Sequence, residues 1–61
     1  MDMEKLLDRS VILFLNTNLR LEGLVVSVSD GFLTLHDRRS GKEHIISFQT
    51  LDRIEVKNEQ H

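Results

Sequence analysis

The fold of this chain is decided by residues 11–37, VILFLNTNLRLEGLVVSVSDGFLTLHD, which predict three consecutive β-strands. Large apolar and β-branched residues dominate the stretch, as is typical of strands. Polar turn signals divide it, because Asn tolerates left-handed conformations and Asp-Gly favours a two-residue hairpin turn. We expect strands at 11–15, 19–29 and 32–37, with a bend or bulge at Gly23.

Two further strands follow in the C-terminal half of the chain. Residues 42–48 and 52–57 carry apolar residues at strand spacing. Turns at 38–41 and 49–51 separate them from their neighbours. The sequence therefore predicts a mainly β fold with five short antiparallel strands.

A short amphipathic helix is expected before the first strand, over about residues 2–9. Met3, Leu6 and Leu7 fall on one helical face, and Asp2 suits the N-cap position. A helix of two turns is unstable in isolation. Its apolar face should therefore lie on the sheet.

The chain length predicts one domain, residues 1–61. A domain of this size buries only about 60% of the surface that its unfolded chain exposes. Small domains are usually stabilised by disulfides, metals or oligomerisation. Because the chain has no Cys, we expect oligomerisation.

The composition of the chain limits its expected location and the kinds of partner that it can bind. No apolar stretch approaches the roughly 20 residues of a membrane-spanning helix, and the N-terminus lacks the apolar core of a signal peptide. We therefore expect a cytoplasmic protein without a membrane partner. The net charge of −2 argues against a protein that coats nucleic acid through a basic surface. It is compatible with base-stacking pockets for single-stranded RNA.

The pattern resembles the Sm family, whose bacterial branch is Hfq. The first family signature has an alternating strand, a polar turn, a long bent strand with an internal Gly, and Asp-x-aromatic-apolar-polar. Its four elements are matched here by residues 11–15, by the turn at 16–18, by 19–29 with Gly23, and by DGFLT at 30–34. The resemblance covers residues 5–57. It implies a bent five-stranded SH3-like barrel of Sm type over about 11–57.

The same resemblance implies a ring of identical subunits that binds single-stranded RNA, with an RNA-chaperone or RNA-metabolism role. In such rings the fourth strand pairs with the fifth strand of the next subunit. Ile45 and Ile46 are apolar neighbours on the fourth strand, which suits burial by another copy. The alternative is that both lie under the N-terminal helix of the same chain. We expect a hexamer in preference to a heptamer, because the likeness is to the bacterial branch.

The resemblance implies a U-rich RNA site at the inner rim of the pore. Phe32 takes the position that stacks on a base, and Thr34 the position that bonds the base edge. The second family signature should fall at residues 46–49, ISFQ, which contain neither Arg-Gly nor Lys-His. The alternative is that Phe32 is a core residue after the hairpin. The expected rim site contains Asp30, Gly31, Phe32, Thr34, Phe48 and Gln49.

A second RNA surface, for A-rich sequences, is implied on the opposite face of the ring. Phe14 and Arg20 fall where Hfq has Tyr and Lys, and Asn18 falls where Hfq has a Gly in a turn. An aromatic ring and a cation on one sheet face can hold a base and its phosphate. The alternative is that Phe14 packs under the helix while Arg20 pairs with Glu22 or solvent.

Other clusters predict less specific roles. The turn containing Arg38, Arg39 and Lys42 either attracts phosphates or is simply a solvated loop. The histidines have no ligand spacing for a metal, and no catalytic motif or cofactor site stands out, so no enzyme activity is expected. The competing interpretations are an SH3-like module for protein interaction or assembly without RNA binding, and a barrel that binds duplex DNA.

Overall fold

The computed structural model describes residues 3–57, which form one antiparallel sheet of five strands. The strands lie in the order β4-β3-β2-β1-β5. The mainly β prediction is confirmed, and each strand bound lies within one residue of the expected position. The strands are β1 (Ser10–Leu15), β2 (Arg20–Ser29), β3 (Phe32–His36), β4 (Glu43–Ser47) and β5 (Leu51–Val56).

The sheet is open within residues 3–57. Its two edges are β4 and β5, and no ladder joins them, so a closed barrel is not observed. The long strand β2 connects the two halves of the sheet, because residues 20–24 pair with β1 and residues 24–29 pair with β3. The register of the second ladder shifts between Val25 and Ser27, whereas the first ladder passes Gly23 without a shift.

The predicted helix over 2–9 is wrong in type and length. The described residues instead contain a 3₁₀ helix at Met3–Leu6, and Asp2 lies outside them. The Leu7 N–H donates to the Glu4 carbonyl at 3.2 Å, which is the three-residue spacing of a 3₁₀ turn.

The sheet itself ends this helix. Asp8 adopts a left-handed conformation with φ of 64°, and its N–H donates to the carbonyl of Val25 at 2.8 Å. In return, the Val25 N–H donates to the Arg9 carbonyl at 3.0 Å. The N-terminal backbone therefore bonds to β2 rather than continuing as a helix, while Leu6 packs against the core.

The turn between β2 and β3 has the geometry that its sequence predicts. Asp30 and Gly31 have φ values of 52° and 84°. Two positive φ angles in a two-residue loop define the type I′ turn, which Asp-Gly favours. The hairpin prediction is confirmed.

The core lies on one face of the sheet, where apolar side chains of β1, β2, β3 and β4 meet. Ile46 is 6% exposed and belongs to it, whereas Ile45 is 75% exposed. Successive strand residues point to opposite faces, so the two isoleucines are separated. The alternative that both lie under the N-terminal segment is therefore wrong for Ile45. The buried apolar residues are Val11, Leu13, Val25, Leu33, Leu35 and Ile46.

Gly23 lies where β2 meets the end of β3. A Cβ atom there would be 2.9 Å from the carbonyl carbon of His36 and closer still to its oxygen. These are backbone atoms, so no side-chain rotation can make room. The role of Gly23 is to allow a close approach of two backbone segments.

Within residues 3–57, no helix has the length and apolar character needed to cross a membrane.

Candidate nucleic-acid interface

The type I′ turn brings the two predicted signature segments together. The Phe48 N–H donates to the carbonyl oxygen of Gly31 at 2.9 Å, and Phe32 lies opposite Ser47 in the β3–β4 ladder. Residues expected at one site from two distant parts of the sequence are thus neighbours in space.

Phe32 is 49% exposed. The next residue, Leu33, is fully buried, and alternation along the strand turns Phe32 away from the core. The interpretation of Phe32 as a core residue is therefore wrong. Its ring is available for stacking on a planar ligand.

Phe48 and Gln49 lie in a second 3₁₀ helix, Phe48–Thr50. Ser47 caps it, because its hydroxyl accepts the Gln49 N–H at 3.2 Å. Phe48 packs against the core, whereas Gln49 is exposed. The Asn16 side-chain amide donates to the Gln49 carbonyl at 3.3 Å. This helix is thus attached to the β1–β2 turn, with the Gln49 side chain in solvent.

Thr34 and Asp30 flank Phe32 along the chain. Thr34 is half-buried and lies opposite Ser27 and Ile45. It shares the sheet face of Phe32, because the two are two residues apart on one strand. The Asp30 carboxylate accepts the Ser29 hydroxyl at 3.4 Å. The Thr34 hydroxyl is thus placed on the same face as the exposed aromatic ring.

Phe14 lies between two arginines. It is paired with Arg20 on β2 and with Arg53 on β5. The guanidinium carbon of Arg53 is 4.3 Å from the centroid of the Phe14 ring, within the range of a cation–π contact. Arg53 also pairs with Glu55 at 3.1 Å. One side of the ring is thus covered by Arg53, a residue that sequence analysis did not connect with Phe14.

Asn18 forms the β1–β2 turn. Its φ is 68°, and its N–H donates to the carbonyl of Leu15 at 3.1 Å. The side chain is exposed, two residues before Arg20. Asn18 therefore shapes the turn that positions Arg20 opposite Phe14.

Four cationic side chains from three separate segments line one cleft, an arrangement that the sequence pattern did not predict. Glu22 accepts a hydrogen bond from one of them, Lys57. This bond, and next the charge of Lys57, hold the Glu22 pKa below its ordinary value, with smaller contributions from Arg20 and Arg39. Lys42 is not among the lining residues. The four cations are Arg20, Arg38, Arg39 and Lys57.

His36 and His44 each lie near a carboxylate, at the limit of ion-pair distance. His36 Nδ1 is 4.0 Å from Glu43, and His44 Nε2 is 4.0 Å from Asp37. His61 lies outside the described residues. Between residues 3 and 57, no group of three or more His, Cys, Asp or Glu side chains could hold a metal ion.

Comparison with known proteins adds no relative. No protein-family model matches this chain, and no curated protein or solved structure matches it at a significant level. The likeness to the Sm family accordingly rests on the sequence pattern of residues 11–37.

Proposed function

We propose that this chain is an Sm-like, Hfq-like protein that forms a cyclic homo-oligomer and binds single-stranded RNA in the cytoplasm. In this proposal the open sheet is an Sm-type SH3-like barrel, completed in the ring by neighbouring subunits. The role is that of an RNA chaperone or RNA-metabolism factor, with no catalytic activity.

The two edges of the sheet, which are unpaired within residues 3–57, support the proposed assembly. Both β4 and β5 are edge strands, and unpaired strand edges invite pairing with another chain. Each edge carries an exposed apolar residue, because Ile45 on β4 is 75% exposed and Val56 on β5 is 43% exposed. Pairing β4 of one copy with β5 of the next would use both edges of every subunit. Such heterologous contacts form a ring when the rotation closes.

An apolar groove beside β5 is the proposed docking site for the neighbouring copy. It has a volume of about 570 Å³, and its lining includes Leu6, Phe48 and Val56. Its occupant in the ring would be the β4 edge of the adjacent copy. Burial of this groove would stabilise the chain. The core of a domain below about 70–80 residues rarely contributes more than ~3–5 kcal/mol to the free energy of unfolding.

The exposed Phe32 ring is the observation that carries the RNA-binding proposal. A large aromatic side chain left half-exposed beside a rigid turn loses the benefit of burial unless a ligand covers it. Stacking of a base on such a ring contributes roughly 1–3 kcal/mol. The exposed Gln49 and the hydroxyl of Thr34 are the candidate hydrogen-bonding groups for the base edge.

The second surface, around Phe14, supports binding of A-rich RNA. Arg53 covers one side of the Phe14 ring, and Arg20 is its cross-strand neighbour. Cations beside an aromatic ring suit a base together with its phosphate. The overall charge of −2 does not oppose this, because the cations are concentrated locally.

Fluorescence anisotropy with labelled U-rich and A-rich oligomers tests the two surfaces. Phe32→Ala should weaken binding of the U-rich oligomer by about tenfold or more while sparing the A-rich one. Arg20→Ala should do the reverse. Leu7→Ala is a matched control, since it removes another exposed apolar side chain, 40% exposed, that belongs to neither surface. Binding of both oligomers should weaken with added salt.

Failure of both oligomers to bind at tens of micromolar protein in low salt would reject RNA binding. The second candidate function, an assembly module for other proteins, would then take its place. The observation that favours this candidate is the same pair of open, partly apolar edges on β4 and β5.

A further inference from the structure

A polar cleft of about 500 Å³ lies where the ends of β1, β2, β3 and β5 meet. Its wall combines the start of β2, the turn after β3 and the residue that follows β5. Its volume falls within the range of small-ligand sites, about 300–1,000 Å³. The lining residues that matter for charge are Arg20, Glu22, Asp37, Arg38, Arg39 and Lys57.

The cleft has an excess of positive charge. Among the residues that the structure describes, four cationic and two carboxylate side chains line it, which leaves an excess of two positive charges. The cations act on a common point, since Lys57, Arg20 and Arg39 all lower the pKa of Glu22. Such convergence of cations is what an anionic ligand requires.

Both carboxylates already have partners from the protein. Glu22 accepts a hydrogen bond from Lys57. Asp37 accepts the backbone N–H of Arg39 at 2.9 Å, and this bond is the main cause of its lowered pKa. The carboxylates therefore orient the turn and Lys57, and they leave a net attraction for a further anion.

Arg38 lines the cleft and bonds to the first residue of β1. Its Nη2 donates to the hydroxyl of Ser10 at 3.0 Å, and Ser10 is only 9% exposed. Gly23, also on the wall, presents no side chain. Guanidinium groups can bind phosphate oxygens through two parallel hydrogen bonds, and those of Arg20 and Arg39 also line the cleft.

We propose that this cleft binds a phosphate monoester. The side chains of Arg20, Arg39 and Lys57 on its wall suit the negative charge of the phosphate, and a volume of about 500 Å³ leaves space for the esterified group. The phosphate could belong to a free nucleotide or to the end of an RNA chain. Use of the site by RNA rests on the proposed function, and Arg20 would then connect the cleft with the Phe14 surface.

Isothermal titration calorimetry with five probes distinguishes these sources. Inorganic phosphate, AMP and a 5′-phosphorylated A-rich oligomer should bind, adenosine should not bind in the cleft, and the same oligomer without its 5′-phosphate should bind more weakly than the phosphorylated one. AMP binding without any RNA binding would sustain the cleft proposal and reject the proposed function. RNA binding that is indifferent to the 5′-phosphate, together with no heat from phosphate or AMP, would reject the cleft and leave the proposed function standing.

Three variants locate the site. Arg39→Gln should weaken AMP binding by roughly tenfold or more, because it removes charged hydrogen-bond donors. Lys42→Gln removes the same charge from the same turn but from outside the cleft, so it should have little effect. Glu22→Gln should strengthen AMP binding, because it removes a competing negative charge.

Equal losses in Arg39→Gln and Lys42→Gln would show a diffuse charge effect and overturn the proposal. Weaker AMP binding by a folded Glu22→Gln variant would also contradict it. Far-UV circular dichroism of each variant establishes that the comparison concerns folded protein. The gain expected for Glu22→Gln cannot arise from misfolding.

Discussion

Replacing Gly23 by Ala tests the packing of β2 against β3 with the smallest possible addition. The new Cβ would lie 2.9 Å from the carbonyl carbon of His36 and 3.3 Å from the Cα of Asp37. Comfortable carbon–carbon contacts begin at about 3.5 Å. The strands must therefore move apart by roughly 0.6 Å or more at this point.

That movement is resisted by the bonds around the contact. His36 is paired with Leu24 on β2 and with Glu43 on β4, and the Asp37 N–H donates to the Lys42 carbonyl at 2.8 Å. Overpacking costs about 1–3 kcal/mol, and a lost ladder hydrogen bond costs about 1 kcal/mol more. We therefore expect Gly23→Ala to lower the free energy of unfolding by about 2–4 kcal/mol.

Thermal unfolding followed by far-UV circular dichroism measures this effect, since the chain has no Trp or Tyr for fluorescence. The expected drop in Tm is about 8–30 °C for a domain of this size, and Gly23→Val should be worse. Gly41→Asn is the matched control, because Gly41 has open space around it and a φ of +76°, which Asn tolerates. If the Tm of Gly23→Ala equalled that of the wild type, the close approach of His36 to Gly23 would be refuted.

Three further changes test the core, the edge and the charges. Ile46→Ala should lower the free energy of unfolding in urea by about 2–4 kcal/mol, because this side chain is 6% exposed. A change near zero would show that Ile46 is not part of the core. Ile45→Lys should keep the far-UV spectrum but reduce the mass in light scattering to one chain, 7.1 kDa; an unchanged assembly would contradict the use of the β4 edge. Glu22 and Asp37 have pKa values below their ordinary 4.5 and 3.8, so the unfolded chain binds their protons first. The stability that these two carboxylates contribute should be complete above about pH 5 and should be lost as the pH falls through their pKa values in the folded protein. Glu22→Gln should therefore make the Tm fall less steeply on acidification. A Tm that rises as the pH falls would contradict the direction of these shifts.

The elements that could be predicted from sequence are those determined by local chemistry. The Asp30-Gly31 turn needs two positive φ angles, and its two residues supply them without help from the rest of the fold. Strand bounds followed from apolar runs between turn signals. The N-terminal helix could not be predicted correctly, because the Asp8 backbone bonds to Val25, a partner that is distant in sequence.

The sites were predictable only in part, because side-chain neighbours depend on strand pairing. Phe32 was predicted as a stacking residue from its motif, but its exposure required knowledge of which face is buried. Arg53 lies over Phe14 because β5 pairs with β1. Arg39 and Lys57 share a cleft for a similar reason, since distant segments meet at one end of the sheet. A hydrophobic pattern alone contains neither pairing.

Native mass spectrometry with and without short oligo-U and oligo-A tests the central claim, a cyclic homo-oligomer that binds single-stranded RNA. We expect one closed stoichiometry, six times the 7.1 kDa mass of one chain in preference to seven times, and an added RNA mass on the intact ring. A single chain at micromolar concentration, with no RNA adduct in low salt, would contradict both assembly and binding.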